Sequence, residues 1–149
     1  MPISKENMKR YPGGSIKSKE WQAIRDAVKQ RSGDKCEFCK VPNGELILRG
    51  NPKSEHCGNQ YMLEDGDVYN ADTGEYRGRA RLSEWDAGKF VKIVLTVMHL
   101  DHMPENNDME NLKHGCQRCH NRWDAPHRRK NAERTRRAKG GQKDMFAGD

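Results

Sequence analysis

The sequence predicts an α+β domain with a small core, one N-terminal helix, a small inserted antiparallel sheet and a four-cysteine metal staple. Three observations carry that reading. Apolar residues make up 33% of the 149 and charged residues 34%, so there is little hydrophobic surface to bury and a small core usually needs a metal or disulfides. Cysteines recur as two C-x-x-C pairs, Cys36/Cys39 and Cys116/Cys119. Helical spacing of apolar residues marks one stretch, and two-residue alternation marks others.

The length argues for a single domain over 1–149. Residues 1–17 carry Pro2, Pro12, Gly13 and Gly14 among lysines and read as a basic, irregular arm. Residues 18–44 hold a helix and the first cysteine knuckle. Ser18 is the expected N-cap, and Glu20 lies in the first turn, where an acidic group meets the positive end of the helix dipole. Trp21, Ile24 and Val28 recur at helical spacing, Ser32-Gly33 stops the run, and Gly44 closes the loop behind the knuckle. Residues 45–90 read as an acidic, Gly-rich insertion. Leu46 to Leu48 is a short strand, Val68-Tyr69 and Glu75-Tyr76 form a hairpin around Asn70 to Gly74, and Glu84-Trp85 lies in a helical turn. Residues 91–127 form the core. Lys92 to Met98 is the clearest strand, with Ile93, Leu95 and Val97 on one face and Val94, Thr96 and Met98 on the other. Both faces are largely apolar, which predicts burial. Pro104 and Glu105 to Asp108 predict a loop, and a helix is expected from Cys119, kinked or restarted at Pro126. Residues 128–149 are a basic tail.

A two-residue gap lets both thiolates of a knuckle face one ion, and two knuckles complete a tetrahedral site with no open position. Cys36, Cys39, Cys116 and Cys119 are therefore expected to hold a structural Zn²⁺; two redox dithiols are the alternative. The 76 residues between Cys39 and Cys116 make a long loop, whose closure assists a small core. Cys57 reads as a loop thiol, or with His56 as part of a metal site. The formal net charge is +6, with both ends basic and the middle slightly acidic. That distribution favours a polyanionic partner, nucleic acid first. No apolar run approaches bilayer-spanning length, and Met1 to Arg10 has no apolar signal core. These features predict a cytoplasmic protein that has no membrane partner.

The stretch from Val94 to Trp123 resembles the HNH endonuclease family. The matching residues are Leu100-Asp101-His102-Met103-Pro104, then Asn111-Leu112, then Cys116-x-x-Cys119-His120-Asn121. The upstream Cys36-x-x-Cys39 is similar to the zinc-stapled branch of that family, and the whole looks like small HNH proteins of phages and prophages. The resemblance implies a ββα-metal (His-Me finger) core and hydrolysis of DNA phosphodiesters to 5′-phosphate and 3′-hydroxyl ends. It makes His102 the base that deprotonates water, a task suited to an imidazole near its ordinary pKa. It places Asp101 and His120 on a catalytic divalent cation (Mg²⁺, Mn²⁺ or Ni²⁺, with Zn²⁺ also compatible) and has Asn111 hold the loop and orient His102 through its backbone. Asp124, four residues after His120, completes that metal site or pairs with Arg128. His99 is an extra ligand or a buried structural histidine. His127 reaches phosphate, and His114 reads as an exposed loop residue. Arg122, Arg128, Arg129, Lys130 and Arg134 are expected along the DNA backbone, in a tail that is otherwise solvated and partly disordered.

Two further readings stand beside the nuclease. One is a non-catalytic zinc module that binds nucleic acid. The other is a nuclease serving phage terminase and packaging proteins, which would work in the bacterial host cytoplasm. A single such site cuts one strand at a time, so a double-strand cut needs a dimer or two visits; a monomer or weak dimer is expected. The gap between the cysteine pairs is longer than in compact family members; the inserted segment reads as a specificity element, a dimer contact or decoration, which leaves target recognition open.

Overall fold

The computed structural model describes residues 3–81, 85 and 88–147, with side chains as far as 139. The element order is α1 (Lys5–Met8), a 3-10 turn (Pro12–Gly14), α2 (Lys19–Ser32), β1 (Leu46–Arg49), β2 (Gln60–Leu63), β3 (Asp67–Asn70), β4 (Tyr76–Arg79), β5 (Val91–Lys92), β6 (Thr96–His99), a 3-10 turn (Met109–Asn111), β7 (Leu112–Gly115) and α3 (Gln117–Ala147). Among the described residues, no helix is long and apolar enough to cross a membrane.

Helix α2 forms as its sequence directs. The Ser18 hydroxyl accepts from the Trp21 N–H, and Gly33 ends the helix at φ +66°, a left-handed conformation that glycine adopts without strain. Trp21 and Val28 are its buried residues. The N-terminal arm is more ordered than an irregular arm. Ser4 caps α1, Tyr11 meets Trp21 and His99 edge-on at 5.0 and 5.8 Å, and Arg10 pairs with Glu105. These aromatic contacts pack the arm against α2 and His99, an interaction that its polar composition does not announce.

The insertion holds an antiparallel sheet of order β4-β3-β2-β1-β5. The expected hairpin is present, with Tyr69 opposite Tyr76. Strand β2, which pairs Tyr61 with Tyr69 and Met62 with Val68, is an addition to the expected pattern. Glu84 lies outside the described residues, and Trp85 packs against the cluster of Leu48, Met62 and Val68 on one face of the sheet. The opposite face carries Ile47 and Tyr61 into a second cluster with Val41, Ala71, Ile93, Leu95 and the four cysteines. The insertion thus shares one core with the knuckles. The β3–β4 loop shows how close the packing is: at Gly74 (φ +76°) a Cβ would lie 2.5 Å from the Cys39 carbonyl oxygen.

The expected strand from Lys92 to Met98 is divided. Val91 and Lys92 pair with β1. Ile93 then bonds Gly44 and Glu45 through its backbone, and the Leu95 N–H donates to Asn43 Oδ1 at 3.1 Å. From Thr96 the chain changes partner and pairs with β7. Val94 is 52% exposed where that change occurs, so the strand is not buried on both faces. His114, expected in an exposed loop, is a buried residue of β7. Its Nδ1 lies 2.8 Å from Ser32 Oγ on α2. Glu37, between the first two cysteines, accepts from the His114 N–H at 3.0 Å and from Arg31 at 2.8 Å. Helix, knuckle and hairpin are thereby fastened together. Helix α3 follows Cys116 directly, runs through Pro126 and extends along the basic tail to Ala147.

Candidate active site and metal centre

The four cysteines of the two knuckles converge, with all four Sγ atoms within 4.8 Å of one another and all four residues buried. None is in a disulfide. Hydrogen bonds from neighbouring thiols, Cys119 first, hold the Cys116 thiol well below its ordinary pKa. Four soft donors at mutual distances of a tetrahedral shell, closed to solvent, fit a structural metal such as zinc. The Cys116 N–H points at Cys36 Sγ at 3.5 Å, and Tyr61 Oη donates to the Cys39 carbonyl at 2.8 Å. Cys57 is buried too but stands outside the group.

The second knuckle ends β7 and opens α3, with the His120 N–H donating to the Cys116 carbonyl at 2.9 Å. The cysteine cluster thus sits where the first turn of α3 starts, next to His120. One turn on, Asp124 places one carboxylate oxygen 2.9 Å from His120 Nε2 and the other 3.2 Å from His102 Nδ1. A carboxylate can only accept, so both imidazoles donate. In the neutral ring the His102 proton is then on Nδ1 and Nε2 carries none, while His120 Nδ1 is free to accept from Thr96 Oγ1 at 3.2 Å. His127, a further turn along, stacks on His102 with ring centroids 4.1 Å apart and planes 14° from parallel. Its Nε2 lies 3.2 Å from Asn131 Nδ2.

His102 has φ +60°, a left-handed conformation that costs a non-glycine residue about 1–2 kcal/mol. Such residues persist where the surroundings over-determine them, commonly at functional sites. The surroundings here are specific. The His102 N–H donates to the His99 carbonyl. Trp123 Nε1 donates to the Leu100 carbonyl at 2.9 Å and ties the loop to α3. Asn111 accepts from the Asp101 N–H at 3.1 Å and donates to the Asp101 carboxylate and the Asn106 carbonyl, each at 2.9 Å. Asn111 bonds Asp101 and Asn106; the expected bond to the His102 backbone is not among those of the described residues.

Asp101 is exposed and its carboxylate is taken up by its own loop, accepting from the Met103 N–H and from Asn106 and Asn111 amides. Those bonds, the one from Asn106 first, hold its pKa below the ordinary carboxylate value. The carboxylate placed between the two histidines is that of Asp124. His99 is a buried residue stacked on Trp21 at 5.5 Å, with Nε2 donating to Asn107 Oδ1 at 3.0 Å. Arg122 pairs with Asp72 of the insertion, beside Arg118, which also reaches Asp72 at 3.1 Å. Hydrogen bonds from Asn59 and Arg118, with the Arg122 charge, lower the Asp72 pKa. Arg128, Arg129, Lys130 and Arg134 are exposed along α3, and Arg128 donates to the Asn121 carbonyl at 2.8 Å, leaving Asp124 to the histidines. Thr96 and Trp123 were not among the expected site residues. Thr96 had a signal, its place two residues from Met98 on one strand face; Trp123 had its place one turn after His120.

No protein-family model, curated protein or solved structure matches the chain.

Proposed function

We propose that the protein is a metal-dependent endonuclease that hydrolyses DNA phosphodiesters. The observation that carries this reading is one carboxylate, Asp124, shared between His102 and His120 beside a closed cysteine centre. His102 in its Nδ1–H tautomer takes a proton from water at Nε2. The resulting hydroxide attacks phosphorus and the bond to the 3′ oxygen breaks, leaving a 5′-phosphate and a 3′-hydroxyl after solvent supplies the leaving oxygen with a proton. Asp124 orients the base and stabilises the imidazolium that forms, and Trp123 and Asn111 keep its loop in place. The nitrogen of His120 and the oxygens of Asp124 are a mixed donor set that suits a divalent cation of the Mg²⁺, Mn²⁺, Ni²⁺ or Zn²⁺ kind. When bound, such a cation supplies charge stabilisation to the phosphorane and the leaving oxygen. His120 and Asp124 would hold it once the His120 proton moves from Nε2 to Nδ1, the cation replacing the His120–Asp124 hydrogen bond while the other Asp124 oxygen stays on His102; Asp101 joins only on release of its loop hydrogen bonds. Exposed Arg128, Arg129, Lys130 and Arg134 supply positive charge for the phosphate backbone, and Arg122 joins them where phosphate displaces Asp72.

The test is conversion of supercoiled plasmid to nicked circles with Mg²⁺ or Mn²⁺ and with chelator. The expected result is cation-dependent nicking that leaves 5′-phosphate ends. DNA binding with no nicking in any divalent cation would instead establish the non-catalytic zinc module.

A further inference from the structure

The insertion supplies the cysteine centre with more than packing. Arg49, at the end of β1, sends Nη2 to within 3.8 Å of Cys116 Sγ. Its Nη1 is buried and has no hydrogen-bond partner among the described residues. A guanidinium carries five donors and cannot shed its charge, and a buried polar group without a partner is costly. No carboxylate is paired with Arg49 among the described residues. Its position is set by register: it stands opposite Tyr61, whose hydroxyl donates to the Cys39 carbonyl. The β1–β2 pair therefore delivers one donor to each knuckle.

Four thiolates around a dication form a net dianion. Burying that charge demands compensation, and among the described residues Arg49 is the one cationic side chain seen hydrogen-bonded to a knuckle sulfur. We propose that Arg49 is the counter-charge of a zinc–tetrathiolate centre, accepting the cost of a buried, unpartnered Nη1 because the dianion repays it. Partners beyond the ligands commonly change metal affinity by about 10–100-fold. The long segment between the cysteine pairs, on this account, is part of the metal site and not decoration.

The experiment compares the full-length wild type with Arg49→Met and Arg49→Lys. Metal content is measured first, then transfer of zinc to an excess of chromogenic chelator, then alkylation of the zinc-loaded thiolates by iodoacetamide. Wild type is expected to hold one zinc tightly. R49M, which keeps the apolar stem and loses the charge, is expected to release zinc about 10–100-fold more readily and to alkylate faster. R49K is expected to stay much nearer to wild type. Far-UV circular dichroism in excess zinc follows the fold, and R49M should reach the wild-type spectrum there. Equal release by wild type and R49M overturns the proposal. So does equal leakiness of R49K and R49M, or an R49M that never reaches the wild-type spectrum, because both assign Arg49 to packing. A wild type that carries no zinc overturns the metal centre along with it, which separates that failure from failure of Arg49 alone.

Discussion

Cys119 and His120 are neighbours in the first turn of α3, yet they belong to two centres built on opposite principles. The cysteine centre is closed: its four ligands are buried and face one another. The histidine centre is open, with the side chains of His102, His120 and Asp124 between 25% and 32% exposed. A ligand set with no free position can hold shape but cannot meet a substrate. A partly exposed histidine beside a shared carboxylate can meet one, provided something rigid holds it. The contrast is a division of labour, in which the closed centre fixes the start of α3 and the open one uses the two turns that follow.

That contrast predicts different kinds of damage. The largest effect falls on the closed side. Cys116→Ser is expected to lose zinc and cooperative folding together, since structural zinc supplies about 10–16 kcal/mol in small modules, as much as the whole stability of an ordinary domain, about 5–15 kcal/mol. Metal analysis and a thermal melt check this; a variant that melts with wild type would remove the staple from the account. On the open side, Asp124→Asn should melt within a few degrees of wild type while nicking falls about 10–100-fold. An amide cannot accept from both histidines with two oxygens. A fall in stability as large as the fall in rate would show that the two centres are not separable.

The smallest effect concerns His114, in the shared scaffold. Burial lowers its pKa in the folded protein, so the unfolded chain takes up a proton first. Its contribution is complete above the ordinary histidine value of about 6.5 and is lost as pH falls from there through the folded value. With excess zinc present, the denaturant midpoint should drop between about pH 7 and pH 5.5, and His114→Gln should flatten that slope. An unchanged slope in the variant would place the acid sensitivity elsewhere.

Legibility in the sequence follows how local each cause is. Helix α2 could be read because its signals act locally: Ser18 caps the Trp21 N–H three residues on, and the Gly33 N–H bonds back to the Gln30 carbonyl three residues before. The cysteine pairs could be read because each knuckle needs its own two-residue gap, and Asp124 because i and i+4 share a helix face. Strand β2 was hidden because Tyr61 and Met62 are buried on opposite faces of one sheet, so alternation carries no polar residue to betray it. The division of the strand after Lys92 depends on a change of partner that leaves the apolar pattern unbroken. His114 looks like a loop residue until Ser32 of α2 is brought to it. Asp101 beside His102 suggests a metal ligand, but Asn106 and Asn111 compete for its oxygens once the loop closes. Arg49 gave no signal at all, since a charged residue at a strand end is ordinarily a solvated one.

In the proposed mechanism His102 is the base of the open centre. The direct measurement is the rate of plasmid nicking by His102→Ala beside wild type at one fixed Mn²⁺ concentration, with DNA binding measured by gel shift on the same samples. The account predicts a loss on the order of 10²–10⁴-fold in nicking, the usual span of general-base catalysis, with binding little changed. Equal nicking by the two proteins would contradict it.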